Sequence, residues 1–268
     1  MIDLHSPYPL TPEHGTSFDE QGYIVLTDVL SPQTVRAYEP EITSKVFELN
    51  TQHLPVGERL TAAQRAALQV MNVWQESELV REFVFSPRLA RLAAELLGVD
   101  AVRIYHDQAI YKEPGGGITP WHADQYYWPL QSDRTCSIWI PLQDTPLDMG
   151  PLSFAVGSQR ISVGRDLPVS DESEARMQAV LRERNVAIDE QPFALGDASV
   201  HLGWTFHRAG VNVTSTARKV MVIIYMDADI TVTAPNTAQR GDYDLWVPGV
   251  APGAVPDTAV NPILYSAA

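Results

Sequence analysis

Between Phe18 and Leu26 a polar stretch, Asp19-Glu20-Gln21, passes through Gly22 into four apolar residues, Tyr23-Ile24-Val25-Leu26. This is the pattern of a helix end, a glycine turn and a short strand. Ser31-Pro32 then supplies an N-cap and a first-turn proline, which predicts a second helix. From Thr61 to Leu97 the chain is rich in Ala, Leu, Arg and Glu; Leu89, Leu92, Leu96 and Leu97 fall at helical spacing and Gly98 terminates the run. This half is expected to be mostly helical. Beyond Asp100 the pattern changes to short aromatic and β-branched segments, separated by Pro114-Gly115-Gly116-Gly117, Pro141, Pro146, Gly150-Pro151, Gly196-Asp197 and Gly210. Many short strands joined by tight turns predict a sandwich or barrel rather than alternating βα units. Asp171 to Arg184 interrupts them with helix formers, and its acidic residues Asp171, Glu172 and Glu174 read as a solvated first turn. From Thr233 to Pro262 five prolines predict irregular chain wrapped over the surface.

Composition narrows this picture. At 268 residues with 45% hydrophobic and 19% charged positions, the chain is expected to fold as one globular domain spanning 1–268. The net charge of −14 disfavours nucleic-acid and membrane-surface partners, because it repels phosphate backbones and anionic headgroups. A single cysteine, Cys136, excludes an intramolecular disulfide framework and any Cys-rich metal cluster, and points to a reducing compartment. The first residues lack the pattern of a signal peptide, and the longest apolar run, Val220 to Met226, is too short to span a bilayer, so a cytoplasmic location is expected. Arginine outnumbers lysine 16 to 3, a bias that GC-rich bacterial coding explains more simply than chemistry does.

Candidate chemistry begins at Trp121-His122-Ala123-Asp124. On a strand, residues i and i+2 share a face, so His122 and Asp124 can converge on one point. A second segment, Gly196 to Gly210, reads as a turn followed by one strand with Val200, Leu202, Trp204 and Phe206 on one face and His201, Gly203, Thr205 and His207 on the other. On such a strand His201 lies six residues from His207, too far to reach the same ion, and reads as a pocket or packing residue. A reversal through Ala209 to Thr216 leads into Arg218-Lys219-Val220, which sets Arg218 opposite His207 in a hairpin. Two histidines and one carboxylate with open positions make the facial triad of non-haem Fe(II) oxygenases. An adjacent arginine can pair bidentately with the far carboxylate of a chelating keto acid such as 2-oxoglutarate. His106 and Asp107, being adjacent on a strand, face opposite ways and read as structural; Tyr126, Tyr127, Trp128, Trp204 and Phe206 read chiefly as core.

From Phe18 to Tyr225 the chain resembles the phytanoyl-CoA dioxygenase (PhyH-like) family of Fe(II)/2-oxoglutarate oxygenases. The resemblance rests on Lys112-x-Pro-Gly-Gly-Gly, Trp121-His122-x-Asp124, Tyr127, Trp139, Gly196-Asp197 and His207-x-x-Gly-x-Asn212, with Arg218 eleven residues after the histidine. It implies a mainly β fold with flanking helices: a double-stranded β-helix (jelly-roll, cupin-like) core with an N-terminal helical region. It further implies that His122, Asp124 and His207 bind iron and that Arg218 holds the 2-oxoglutarate C5 carboxylate, with Gln108, Thr119 and Trp139 lining the cosubstrate pocket. Two positions depart from the family: Ala123 stands where many relatives carry glutamine, and Ala209 replaces a serine that often assists the arginine. Asp124 is intact, which argues against halogenation, where that carboxylate is lost.

The expected activity is therefore that of an Fe(II)-, 2-oxoglutarate- and O2-dependent dioxygenase acting on an unactivated C–H bond of a small molecule. Hydroxylation is the default, and epimerisation, cyclisation or desaturation are open to the same chemistry. The negative charge makes a polyanionic CoA thioester or an acidic carrier protein an awkward partner, which favours a free bacterial natural-product intermediate, as in antibiotic biosynthesis. The alternative is a cupin-like metal-dependent isomerase or binding protein that uses the same ligands without 2-oxoglutarate. Neither the substrate nor the oligomeric state is specified by these residues.

Overall fold

The computed structural model describes residues 2–267. The N-terminal part supplies helix α1 (Pro12–Gln21), strand β1 (Tyr23–Leu26) and helix α2 (Pro32–Leu49). Gly22 ends α1 in the left-handed region at φ 81°, where a Cβ would stand 2.4 Å from Gln159 and 2.6 Å from Thr205. Ser31 caps α2 by accepting a hydrogen bond from the Thr34 amide at 3.1 Å. Its buried face, Val35, Tyr38, Ile42 and Val46, follows the helical period.

The stretch expected to be helical throughout is not. Helix α3 (Ala62–Ala66) is followed by strand β2 (Leu68–Met71), and only then by α4 (Glu78–Val84) and α5 (Pro87–Leu97). Leu68 and Val70 are buried while Gln69 and Met71 face the other way, so a two-residue alternation decides this short segment against its helix-forming surroundings. Helix α5 behaves as its leucines predict: Ser86 caps it, Leu89, Leu92 and Leu96 are buried, and Gly98 closes it at φ 64°. Each buried leucine contributes roughly 1.5–3 kcal/mol.

The second half is a succession of short strands: β3 (Ala101–Lys112), β4 (Thr119–His122), β5 (Thr135–Pro141), β6 (Leu152–Ala155), helix α6 (Asp171–Glu183), β7 (Ile188–Glu190), β8 (Ala198–Leu202), β9 (His207–Ala209) and β10 (Arg218–Asp227). The tail is more regular than its prolines predict, holding helix α7 (Arg240–Trp246) and strand β11 (Ile263–Ser266). All the strands pair antiparallel, in two sheets. The larger runs β1-β8-β5-β10-β3-β11, with β2 sharing the outer edge of β3; the smaller runs β4-β9-β6-β7. This is the jelly-roll architecture expected, with the helices on the outer face of the large sheet.

Three apolar layers hold it together. Helices α1, α2, α4 and α5 pack on the large sheet through Phe18, Ile42, Phe83, Leu92, Ile138 and Ile223. Between the sheets lie Tyr105, Trp139, Phe154, Val222 and Ile224. Helix α6 covers the small sheet through Met177 and Leu181 against Trp121 and Phe206. Glu174 of α6 is not solvated as its sequence context suggests: it is buried, accepts the Trp121 amide at 2.9 Å and pairs with Arg208 at 2.6 Å. A carboxylate thus pins the backbone of β4 one residue before His122.

Candidate metal centre

Gly196 to Gly210 does not form the single strand its alternation suggests. Strand β8 ends at Leu202, the chain turns at Gly203-Trp204, and β9 begins at His207 in the other sheet. The turn is tied to the Gly22 carbonyl by the Leu202 amide (2.9 Å) and the Thr205 hydroxyl (2.6 Å). Gly203 has no room for a side chain, since a Cβ there would meet Gln125 at 2.4 Å and Thr135 at 2.7 Å. The break brings His207 opposite His122 as a cross-strand pair of β9 and β4.

Both imidazoles are oriented in the same way. His122 Nδ1 donates to the Pro120 carbonyl (2.7 Å) and His207 Nδ1 to the Thr205 carbonyl (3.0 Å), which leaves each Nε2 as a lone-pair donor. Asp124 opens a short turn, Asp124–Tyr126, immediately after β4. Its Oδ1 lies 3.6 Å from His122 Nε2 and 3.7 Å from His207 Nε2, and the three ligand atoms all fall within 4.8 Å of one another. Burial pushes both histidines down to about 4. Burial alone would raise the Asp124 carboxyl, but the imidazoles of His207, His201 and His122 outweigh it and hold the group well below its ordinary value. At neutral pH the cluster therefore presents two neutral imidazoles and one carboxylate, the protonation state that binding a divalent cation requires.

A cavity of about 470 Å³ between the sheets contains this cluster and is also lined by Gln108, Thr119, Trp139 and Arg218. The seven residues singled out by sequence thus share one cavity. The hairpin expected to join Arg218 to His207 is absent: Arg218 opens β10 in the large sheet, whereas His207 opens β9 in the small one, so they face each other across the interior. Arg218 is 2% exposed, donates through Nη1 to the Gly150 carbonyl, lies 5.4 Å over the Trp139 ring and has no partner for Nε. Burial lowers it to about 10, so it stays charged at neutral pH. Beside it, at the paired position of β3, Lys112 is also buried and donates to the Gly117 carbonyl and to Thr119 Oγ1 (3.5 Å). Among the described residues neither side chain pairs with a carboxylate. A buried guanidinium without an anion, with the Lys112 amine and the Thr119 hydroxyl beside it, forms a site for one. Thr119 is the cross-strand partner of Ala209, so a hydroxyl faces the cavity beside the position where the expected serine is missing.

His201 lines the cavity, in keeping with its reading as a pocket residue, but the break at Gly203 sets it nearer the cluster than a regular strand allows, with its ring within 4.4 Å of His207 and its Nε2 within 3.3 Å of Asp124 Oδ2. Sequence reasoning missed two further groups. Ser137 donates to the same oxygen at 2.9 Å, and its alternation with Trp139 on β5 was the available signal. Asp242 reaches the cavity from α7, where burial first and Asp124 second raise its carboxyl to about 7. His106 lines the cavity on the opposite face from Asp107, whose carboxylate accepts the Val73 (3.0 Å) and Trp74 (3.2 Å) amides in the structural role expected of it.

The Phytanoyl-CoA dioxygenase (PhyH) family model matches residues 18–220. Among curated proteins, the chain is 27% identical over 159 residues to an ectoine dioxygenase of Sphingopyxis alaskensis, covering 57% of this chain and 51% of that one. It is 22% identical over 178 residues to phytanoyl-CoA dioxygenase domain-containing protein 1 of Danio rerio, covering 64% and 61%. The match therefore spans only about half to three-fifths of those two relatives. Among solved structures, the non-heme alpha ketoglutarate dependent carbocyclase SnoK from nogalamycin biosynthesis superposes with a TM-score of 0.79 at 24% identity, over 96% of this chain and 99% of that one. That likeness is one of fold. No helix among the described residues is long and apolar enough to cross a membrane.

Proposed function

The chain belongs to the phytanoyl-CoA dioxygenase (PhyH) family, and from that premise we propose that it is an Fe(II)- and 2-oxoglutarate-dependent dioxygenase acting on an unactivated C–H bond of a small molecule. The observation that carries this reading is a single cavity with a His122, Asp124 and His207 cluster facing it and a buried, anion-free Arg218 in its wall. The donor set fits the metal: two imidazoles and one carboxylate suit non-haem Fe(II) and leave positions open. The wall fits the cosubstrate, because the unpartnered Nε of Arg218 and the Lys112–Thr119 pair call for a carboxylate.

In this reading His122, Asp124 and His207 hold the iron, and Arg218 with Thr119 holds the distal carboxylate of 2-oxoglutarate. When bound, the iron and its cosubstrate supply the oxidising power for C–H cleavage. The chain itself supplies orientation and dryness. The carbonyls of Pro120 and Thr205 fix the two rings, and Trp139, Leu152, Val222 and Ile224 make an apolar wall that limits water. The remaining volume, lined by Gln69, Met71, His106, Trp128 and Asp242, accommodates the substrate.

A free natural-product intermediate is the substrate class we favour. The net charge of −14 opposes polyanionic thioesters, and the fold is shared with an enzyme of nogalamycin biosynthesis. Anaerobic titration of the apo-protein with Fe(II) and then 2-oxoglutarate tests the assignment. A saturable visible charge-transfer band, absent from His207→Ala, is expected. Metal binding without that band would favour a cupin-like activity independent of 2-oxoglutarate.

A further inference from the structure

We propose that Ser137 and His201 are positioning residues that hold Asp124 to the metal through one oxygen only, keeping its second oxygen turned away from the ion. The inference rests on the metal reading above and deepens it.

The two carboxylate oxygens have separate environments. Oδ1 faces the Nε2 atoms of His122 and His207 at 3.6 and 3.7 Å. Oδ2 accepts from Ser137 Oγ at 2.9 Å and from His201 Nε2 at 3.3 Å. Asp124 follows a strand of the small sheet, whereas both donors belong to the large one, where Ser137 on β5 and His201 on β8 are cross-strand partners. Both are buried, and the His201 ring is held between Phe154, 5.5 Å away, and His207. These central strands make a rigid mount, so the carboxylate is held from the opposite sheet at a fixed rotation.

The chemistry of His201 argues for this role over simple packing. A carboxylate oxygen only accepts, so Nε2 must carry the proton of this bond, and Nδ1 is left to find a partner of its own. That Nδ1 is buried without a hydrogen-bond partner, which leaves a polar atom unsatisfied at a cost of about 1–3 kcal/mol. A packing residue would be better replaced by an apolar ring; the arrangement makes sense if the bond to Oδ2 is what matters. The consequence concerns open positions on the ion. A facial triad leaves room for a chelating cosubstrate and O2 only while each ligand occupies one position. A carboxylate free to rotate can bind through both oxygens and close one of them.

Cobalt(II), whose visible bands report coordination number, tests this on the intact chain. Wild type should bind one equivalent and His207→Ala should not; binding by His207→Ala would refute the metal reading itself, separately from this inference. Ser137→Ala and His201→Phe should bind cobalt about 10–100-fold more weakly in chelator competition, as loss of a partner behind a metal ligand typically does. Their visible bands should weaken as the coordination number rises, and Ser137→Thr, which keeps the hydroxyl, should restore both affinity and spectrum. Folded Ser137→Ala and His201→Phe proteins with wild-type affinity and wild-type bands would overturn the proposal.

Discussion

Arg218 carries a charge into a wall where no described side chain neutralises it, and its value depends on what the cavity admits. If 2-oxoglutarate is the occupant, Arg218→Ala removes charge-assisted hydrogen bonds to a carboxylate, each contributing about 1.5–3 kcal/mol. We expect 2-oxoglutarate affinity to fall about 10–100-fold with metal affinity unchanged, measured by calorimetry on the metal-loaded protein. Unchanged cosubstrate affinity would move the carboxylate elsewhere. Individual residues were legible here where their chemistry is uncommon: histidine and a buried arginine draw attention at fixed spacing. Ser137 and Asp242 did not, because serine and aspartate occur everywhere and only the fold brings Ser137 to Asp124 and Asp242 to the cavity. His201 was legible as a pocket residue, but its closeness to Asp124 was not, because a regular strand forbids it.

Apolar alternation runs unbroken through Val200, Leu202, Trp204 and Phe206, so periodicity reports one strand where the chain has two, one in each sheet. The alternation persists because both halves place side chains in apolar layers, Val200 against the helices and Phe206 against α6. Gly203 is the physical cause of the break. The Gln125 amide oxygen that an added Cβ would strike is fixed by the Thr135 hydroxyl at 2.6 Å, and its amide nitrogen by the Ser132 carbonyl at 3.2 Å. Gly203→Ala must therefore displace a bonded neighbour and should cost about 1–3 kcal/mol in chemical denaturation. It should also weaken metal binding, because His201 and His207 flank the turn; wild-type stability would mean that Gln125 yields freely. Similar limits hid β2 and α7, which are too short for composition to outweigh their surroundings, yet both line the cavity through Gln69, Met71 and Asp242.

For the molecule as a whole, the shift from helical to strand-like pattern at Asp100 marked out the helical layer and the jelly-roll, because that transition spans enough residues for local errors not to matter. Stability as a function of pH is set more narrowly, by charges buried for a purpose. Lys112 lies in the interior with Arg218 at the paired position; burial first, then Arg218 and Arg208, push it down to about 6. Between that value and its ordinary one near 10.5 the unfolded chain holds a proton that the folded chain has released, so stability from this group rises with pH across the interval. The slope can reach about 1.4 kcal/mol per pH unit. Lys112→Met removes the titration, so the stability difference between variant and wild type should shift toward wild type as pH rises from 7 to 9 in denaturant titrations. A difference independent of pH would mean that Lys112 stays charged in the fold. The same slope tests the function: a dicarboxylate bound beside Arg218 and Thr119 restores a charged partner to Lys112 and raises its pKa. Saturating 2-oxoglutarate with iron should then flatten the wild-type dependence while leaving that of Lys112→Met unchanged.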